Sequence, residues 1–459
     1  MRKKSLNYII GSVISGIITL VSIPVLTWYF SSKDIAISAL FLIALNLLTM
    51  LCSLGLEQYI LRNYYELNDS ERMESFFSIY LIMILSTIFF SFVMYFLWKK
   101  ISLYLFYEET WLGIILLITT VFSNVLIKIS SVVLRMENES LYYSIGQIFL
   151  RALCLFVPLI ISKLFRVEFN WLWLISLTAL SYYIVAIFQQ VICWYCGYIR
   201  VGISKNVMMI SKKALKYSVP LMGSLFIIWS LSSFDKLILQ QIVSEYDLGL
   251  YVNAFRFASV GLLLQQLVST IWSPLSIKWY LKNPNPEAFK ITLNISVMMS
   301  IVIYLISILL LPFLKYTMHE DFYESLEIVP ILLTFPLFFL ISEFANVGIV
   351  FKKRSDYVFL GSLITAFVTF FLYFSLTTKY GVKGAAYAVS FSYFMMLVVR
   401  SYFSRKCWVN IVSLKSLLGV LFLLFVPFFN IEHWLIGLVF TIALSIAIYD
   451  FKHLRFEVK

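Results

Sequence analysis

WLWLISLTALSYYIVAIFQQVICWYCG, from Trp171 to Gly197, runs for 27 residues without a charge. About 20 apolar residues at roughly 1.5 Å each cross a hydrocarbon core of about 30 Å, and lipid offers no hydrogen bonds, so such a stretch must be a helix that pairs its own backbone. One of them would be an anchor. The pattern recurs instead, as in FFSIYLIMILSTIFFSFVMYFLW (Phe76 to Trp98) and ITLNISVMMSIVIYLISILLLPFL (Ile291 to Leu314). Residues AVILMFWYC make up 61% of the 459 positions and charged residues 13%, against about 25% charged in a soluble globular chain. No soluble core absorbs that much apolar side chain, and the chain reads as an all-α polytopic membrane protein.

Fourteen helices are expected, starting near Asn7, Ile35, Phe76, Trp111, Leu141, Trp171, Lys213, Glu245, Glu287, Ser325, Asp356, Lys383, Ile411 and His433. With the amino terminus inside, alternate connections hold 24 Lys and Arg on the inner side and 8 on the outer. Basic residues are retained in the cytoplasm, so both termini are placed there. The net charge of +12 then describes basic loops facing an anionic leaflet, with no nucleic-acid partner required. SKDIAISA (Ser32 to Ala39) and EYDLGLYV (Glu245 to Val252), 213 positions apart, form a weak repeat. Two halves of six helices are the usual plan of a transporter. The expected division is a lobe over 1–200, a second over 201–408, and a two-helix hairpin with a cytoplasmic tail over 409–459.

MRKKS precedes an apolar run that continues past Phe30 without a small-x-small cleavage site, which predicts an uncleaved first helix. Cys193 and Cys196 form a C-x-x-C, yet with no second pair or nearby histidine the five cysteines read as membrane packing. His319, His433 and His453 have no metal spacing, and no Gly-rich phosphate loop occurs. Neither enzyme nor cofactor is expected.

Four basic residues, Lys128, Arg151, Lys236 and Arg256, fall within helices. A charge near the midplane costs at least about 2.5–3.5 kcal/mol and normally faces a partner or a watery cavity. Arg256 and Arg151 each lie ten or so residues into a helix, about 16 Å deep. They can line a cavity and hold an anion, for which guanidinium is suited, or pair with an acid to fasten the bundle. Lys128 and Glu57 lie in inner thirds of helices, with Arg62 at the inner end of the second, and all join the candidate set. Asp235 and Lys236 suit an interfacial pair or a gate. Glu343 suits proton coupling, since low dielectric raises a carboxyl pKa, or a helix-end pairing with Lys352 or a neighbour.

The stretch VPLMGSLFIIWSLSSFDKLILQQIVSEYDLGLYVNAFRFA (Val219 to Ala258) resembles the seventh and eighth helices of Wzx-type polysaccharide flippases, in the superfamily that includes the multidrug MATE exporters. The matching residues are Pro220, Ser232, Ser233, Asp235, Lys236, Asp247, Gly249, Tyr251 and Arg256. SLGLEQYILRNYYE, LRMENESLYYSIGQIFLRA and KYGVKGAAYAVSFSY agree in order and spacing. Ser38, where a tyrosine is common, and an eleventh helix without asparagines depart from the pattern.

The resemblance implies a flippase carrying an undecaprenyl-pyrophosphate-linked oligosaccharide, an O-antigen or capsule repeat unit, across the bacterial inner membrane by alternating access between two lobes. It also implies H+ or Na+ coupling, and a glycan polymerase and chain-length regulator as partners beside membrane lipids. Arg256, Arg151, Lys128 and Arg62 would meet the anionic head group. Asp235, Lys236, Glu343 and Glu57 would serve gating or ion coupling. Alternatives are a multidrug or cation antiporter, which the cationic interior disfavours, a peptidoglycan-precursor flippase, and a membrane glycan polymerase, which would need a large outer loop.

Overall fold

The computed structural model describes residues 2–64, 68–137, 139–165, 170–198, 207–282, 284–352, 354–428, 439, 442–443 and 445–451. Among these residues regular structure is helical throughout. The chain divides into two compact units, the first comprising Met1–Ser22 and Tyr29–Trp229, the second Ile23–Trp28 and Ser230–Lys459.

The first eight helices are α1 (Arg2–Thr27), α2 (Ser32–Ser53), α3 (Leu56–Asn63), α4 (Asp69–Phe96), α5 (Trp98–Phe106), α6 (Trp111–Met136), α7 (Ser140–Phe165) and α8 (Trp171–Tyr195). They are followed by α9 (Val207–Leu239), α10 (Glu245–Lys282), α11 (Pro286–Lys315), α12 (Ser325–Leu332), α13 (Thr334–Ala345), α14 (Val347–Phe351), α15 (Ser355–Cys407) and α16 (Leu414–Phe425).

Among the described residues, ten helical stretches are long and apolar enough to cross a membrane, or eleven with the bent α9 taken as one. The described residues account for fewer such stretches than the fourteen expected helices. Two expected crossings are joined in α15, which spans 53 residues. At about 1.5 Å per residue that is some 80 Å, far more than one bilayer. The turn between them is Gly381, at φ 56° and ψ −132°, a region open only to glycine, while a Cβ on Gly384 would overlap the Leu376 carbonyl. The thirteenth, α16, has only 12 residues. The expected start of the fourteenth, His433, lies outside the described residues, as does His453.

The repeat has a structural basis. Ser31 caps α2 in a capping box with Asp34, and Ser244 stands in the same relation to Asp247 at the start of α10, its Oγ donating to Oδ2 at 2.7 Å and accepting from the Asp247 amide at 3.1 Å. Each carboxylate sits at a helix N-terminus, where the backbone dipole favours it.

Surface and core are distributed as in lipid. Along α4, Leu85, Ile88, Phe89, Phe92 and Phe96 are all at least 57% exposed, an apolar stripe too large for a monomer in water. The first unit packs Ile127, Leu150, Val185 and Ala186 between α6, α7 and α8. The second packs Trp272, Phe289, Val297, Phe338 and Leu397 from α10, α11, α13 and α15. Gly146 on α7 lies so close to Gln189 on α8 that a Cβ would push the glutamine amide aside, a small residue at a helix contact as is common in membrane bundles.

Candidate functional site

In the first unit α2 ends because Leu54 and Gly55 are both left-handed, at φ 50° and 67°. A left-handed leucine costs about 1–2 kcal/mol, and the break lets the chain restart as α3 with Glu57 turned inward, 6% exposed. Lys128 Nζ on α6 lies 2.7 Å from Glu57 Oε1 and donates to Ser53 Oγ at 2.8 Å. One turn earlier, Asn124 donates to Thr49 Oγ1 on α2 at 3.0 Å. Behind them α8 braces α6: Gln190 donates to Ser130 Oγ at 2.7 Å, and Ser131 donates to Gln189 Oε1 at 3.3 Å.

These residues wall a cavity of about 410 Å³, within the roughly 300–1,000 Å³ of small-molecule sites. From α6 come Asn124, Lys128, Ser131 and Arg135, at spacings of four, three and four, so they share one helix face. Opposite are Asn46 and Thr49 on α2, Glu57 and Gln58 on α3, and Tyr143 and Gln147 on α7. Arg135 is exposed, with its guanidinium 5.2 Å from the Tyr143 ring. In sequence Arg135 borders the basic connection after α6, and its register with Asn124 and Lys128 is the signal that sets it on the cavity face.

The other expected cations of this unit do not join the wall. Arg151 is exposed on α7, one turn beyond Gln147 on the Tyr143–Gln147 face. Arg62 is exposed in the last turn of α3, 5.8 Å from the Tyr217 ring.

In the second unit Asp235 and Lys236 are neighbours on α9, and the long lysine chain turns back so that Nζ lies 2.8 Å from Asp235 Oδ2. Tyr251 on α10 donates to the same oxygen at 2.6 Å. Lys236 also donates to the Ser232 carbonyl at 3.1 Å and sits 3.3 Å from the centre of the Phe255 ring, a cation–π cage. The side chains are 1% and 7% exposed, so this is a buried pair, not the interfacial one that a position near the end of α9 suggested. Asp235 Oδ1 has no hydrogen-bond partner among the described residues. Arg256 is half-buried on α10, one turn past Val252.

Glu343 on α13 pairs with Arg400 on α15 at 2.8 Å, and Ser269 on α10 donates to its second oxygen at 3.1 Å. The expected partner, Lys352, is exposed past the end of α14. In sequence Arg400 stands close to Arg405 and Lys406 and reads as part of a basic connection; the helix continues to Cys407 and carries it inside. Each of the three deep acids thus has its own basic partner. All five cysteines are free, and no group of metal-binding side chains occurs among the described residues.

A family model described as "Polysaccharide biosynthesis protein" matches residues 1–278. The capsular polysaccharide biosynthesis protein CapF of Staphylococcus aureus is 25% identical over 181 residues, 38% of this chain and 45% of that protein, so the match spans under half of the relative's length. Among solved structures, the lipid II flippase MurJ in an inward closed conformation is 16% identical, with 96% and 97% of the two chains covered and a TM-score of 0.67. An inward-facing multidrug resistance MATE family transporter of the MOP superfamily is 11% identical over 86% and 94%, with a TM-score of 0.66. At these identities the likeness is one of fold.

Proposed function

Since the chain belongs to the polysaccharide biosynthesis protein family, we propose that it is a flippase moving a lipid-linked oligosaccharide from the cytoplasmic to the outer leaflet of a bacterial inner membrane. The substrate class is an undecaprenyl-pyrophosphate-linked glycan, an O-antigen or capsule repeat unit. One observation carries the reading: a hydrated-type cavity, walled by amides, hydroxyls and cations, is built into membrane-length helices whose outer faces are apolar. A glycan and its phosphates are too polar for hydrocarbon, whereas the polyprenyl tail is not. A polar chamber open in turn to each face carries the head group while the tail stays in lipid.

The cavity lies where α2 and α6 end and α7 begins, the side read as cytoplasmic from the chain-wide excess of Lys and Arg, 24 against 8, in the connections on that side. Loading therefore occurs from the cytoplasm. Arg256, Arg151 and Arg62 are the candidate contacts for the anionic head group. Lys128, already engaged by Glu57, builds the wall rather than holding phosphate. Asp235 with Lys236 and Glu343 with Arg400 are the candidate coupling pairs, because protonating either acid would free a buried cation to change partners. A polymerase acting on the outer leaflet is the natural consumer of the product.

The test is deletion followed by assay of lipid-linked oligosaccharide on each leaflet. Accumulation on the inner leaflet with loss of surface glycan is expected. Unchanged leaflet distribution and surface glycan would overturn the reading.

A further inference from the structure

We infer that the cavity of the first unit is a saccharide subsite: it holds the sugar next to the phosphate by amide and hydroxyl hydrogen bonds, and leaves the phosphate itself to the rim. This deepens the proposed function and rests on it.

Charge is the first reason. Glu57 and Lys128 neutralise one another at 2.7 Å, so the interior offers no unmatched cation, and an anion placed there would face the Glu57 carboxylate. Arg135, the remaining charged group of the wall, is exposed at its edge. The same pairing argues against a drug-like cation, since the single acid of the wall is taken.

Hydrogen-bonding capacity is the second. Asn46, Gln58 and Gln147 carry no side-chain hydrogen bond among the described residues. Each amide presents a donor and an acceptor side by side, the arrangement that pairs with neighbouring hydroxyls on a sugar ring. An apolar guest would strand all three amides.

Register is the third. Tyr143, Gln147 and Arg151 succeed one another at intervals of four along one face of α7. A head group lying along that face with its sugar at Gln147 meets a guanidinium at either end of the stripe, Arg135 over Tyr143 and Arg151 one turn beyond.

The test uses the full chain in lipid nanodiscs and two probes. One is the lipid-linked glycan fraction extracted from cells deleted for this chain; the other is bare undecaprenyl pyrophosphate. The wild type should hold the glycosylated lipid more tightly. Gln58→Leu and Gln147→Leu, which break no internal hydrogen bond, should each weaken it by about tenfold and leave the bare lipid unchanged. Gln147→Glu, which keeps the shape and removes the amide donor, should act alike and guards against misfolding of the leucine variants. Arg135→Gln should weaken both lipids. Equal binding of both lipids by the wild type overturns the subsite, as do glutamine variants that weaken both lipids alike or neither. If the wild type binds neither lipid, the proposed function itself fails.

Discussion

Replacing Lys128 with methionine removes the charge that offsets Glu57 and keeps the volume, so the outcome depends on how dry Glu57 is. The carboxylate side chain is 8% exposed and the ammonium 30%. Breaking a buried pair by deleting one partner costs about 3–5 kcal/mol. Lys128→Met belongs near the upper end, because Ser53 Oγ is already committed to the Met50 carbonyl at 3.1 Å. Glu57→Gln should cost only about 1–2 kcal/mol, since Lys128 retains Ser53 and reaches the cavity. The double variant should cost about 2 kcal/mol, well below the sum of the single changes. At roughly 2–4 °C per kcal/mol for a unit of this size, Lys128→Met should melt about 10 °C or more below wild type. Cys52 and Cys193, 1% and 0% exposed in the same unit, report unfolding through a thiol-reactive fluorophore. Equal losses for the two single variants, or losses that add to within about 0.5 kcal/mol, would refute a desolvated pair.

Lys236→Met should be among the most damaging single changes in the second unit, by about 3–5 kcal/mol, because it strands Asp235 at 1% exposure; adding Asp235→Asn should restore much of the loss in the same melting assay. Arg400→Met should destabilise less, since Glu343 is 20% exposed and retains Ser269, and Glu343→Gln should suppress it. Gly381→Ala should cost about 1–3 kcal/mol through the backbone at φ 56°, seen as a lowered melting temperature. Arg256→Ala should abolish surface glycan while leaving the amount of folded protein in the membrane unchanged, checked by immunoblot and gel filtration; intact glycan would remove Arg256 from the head-group set.

Most of the fold was written in composition. Uncharged runs of 23 to 27 residues can only be membrane helices, and the repeat of SKDIAISA in EYDLGLYV fell at the starts of α2 and α10. Most deep charges were legible one at a time, because a charge inside such a run stands out; Arg400, with Arg405 and Lys406 close behind it, was not. Their partners were not. Glu57 meets Lys128 only because Leu54 and Gly55 turn left-handed and restart the chain as α3, and no hydrophobic pattern announces that break. Glu343 meets Arg400 across 57 positions, a distance that helix packing closes and periodicity cannot see. The sequence by itself determined that this chain lives in lipid and must account for each buried charge, since hydrocarbon solvates neither backbone nor ion. Only the tertiary structure decided which charges cancel and which are left to a guest, because that depends on distances between helices that share no local pattern.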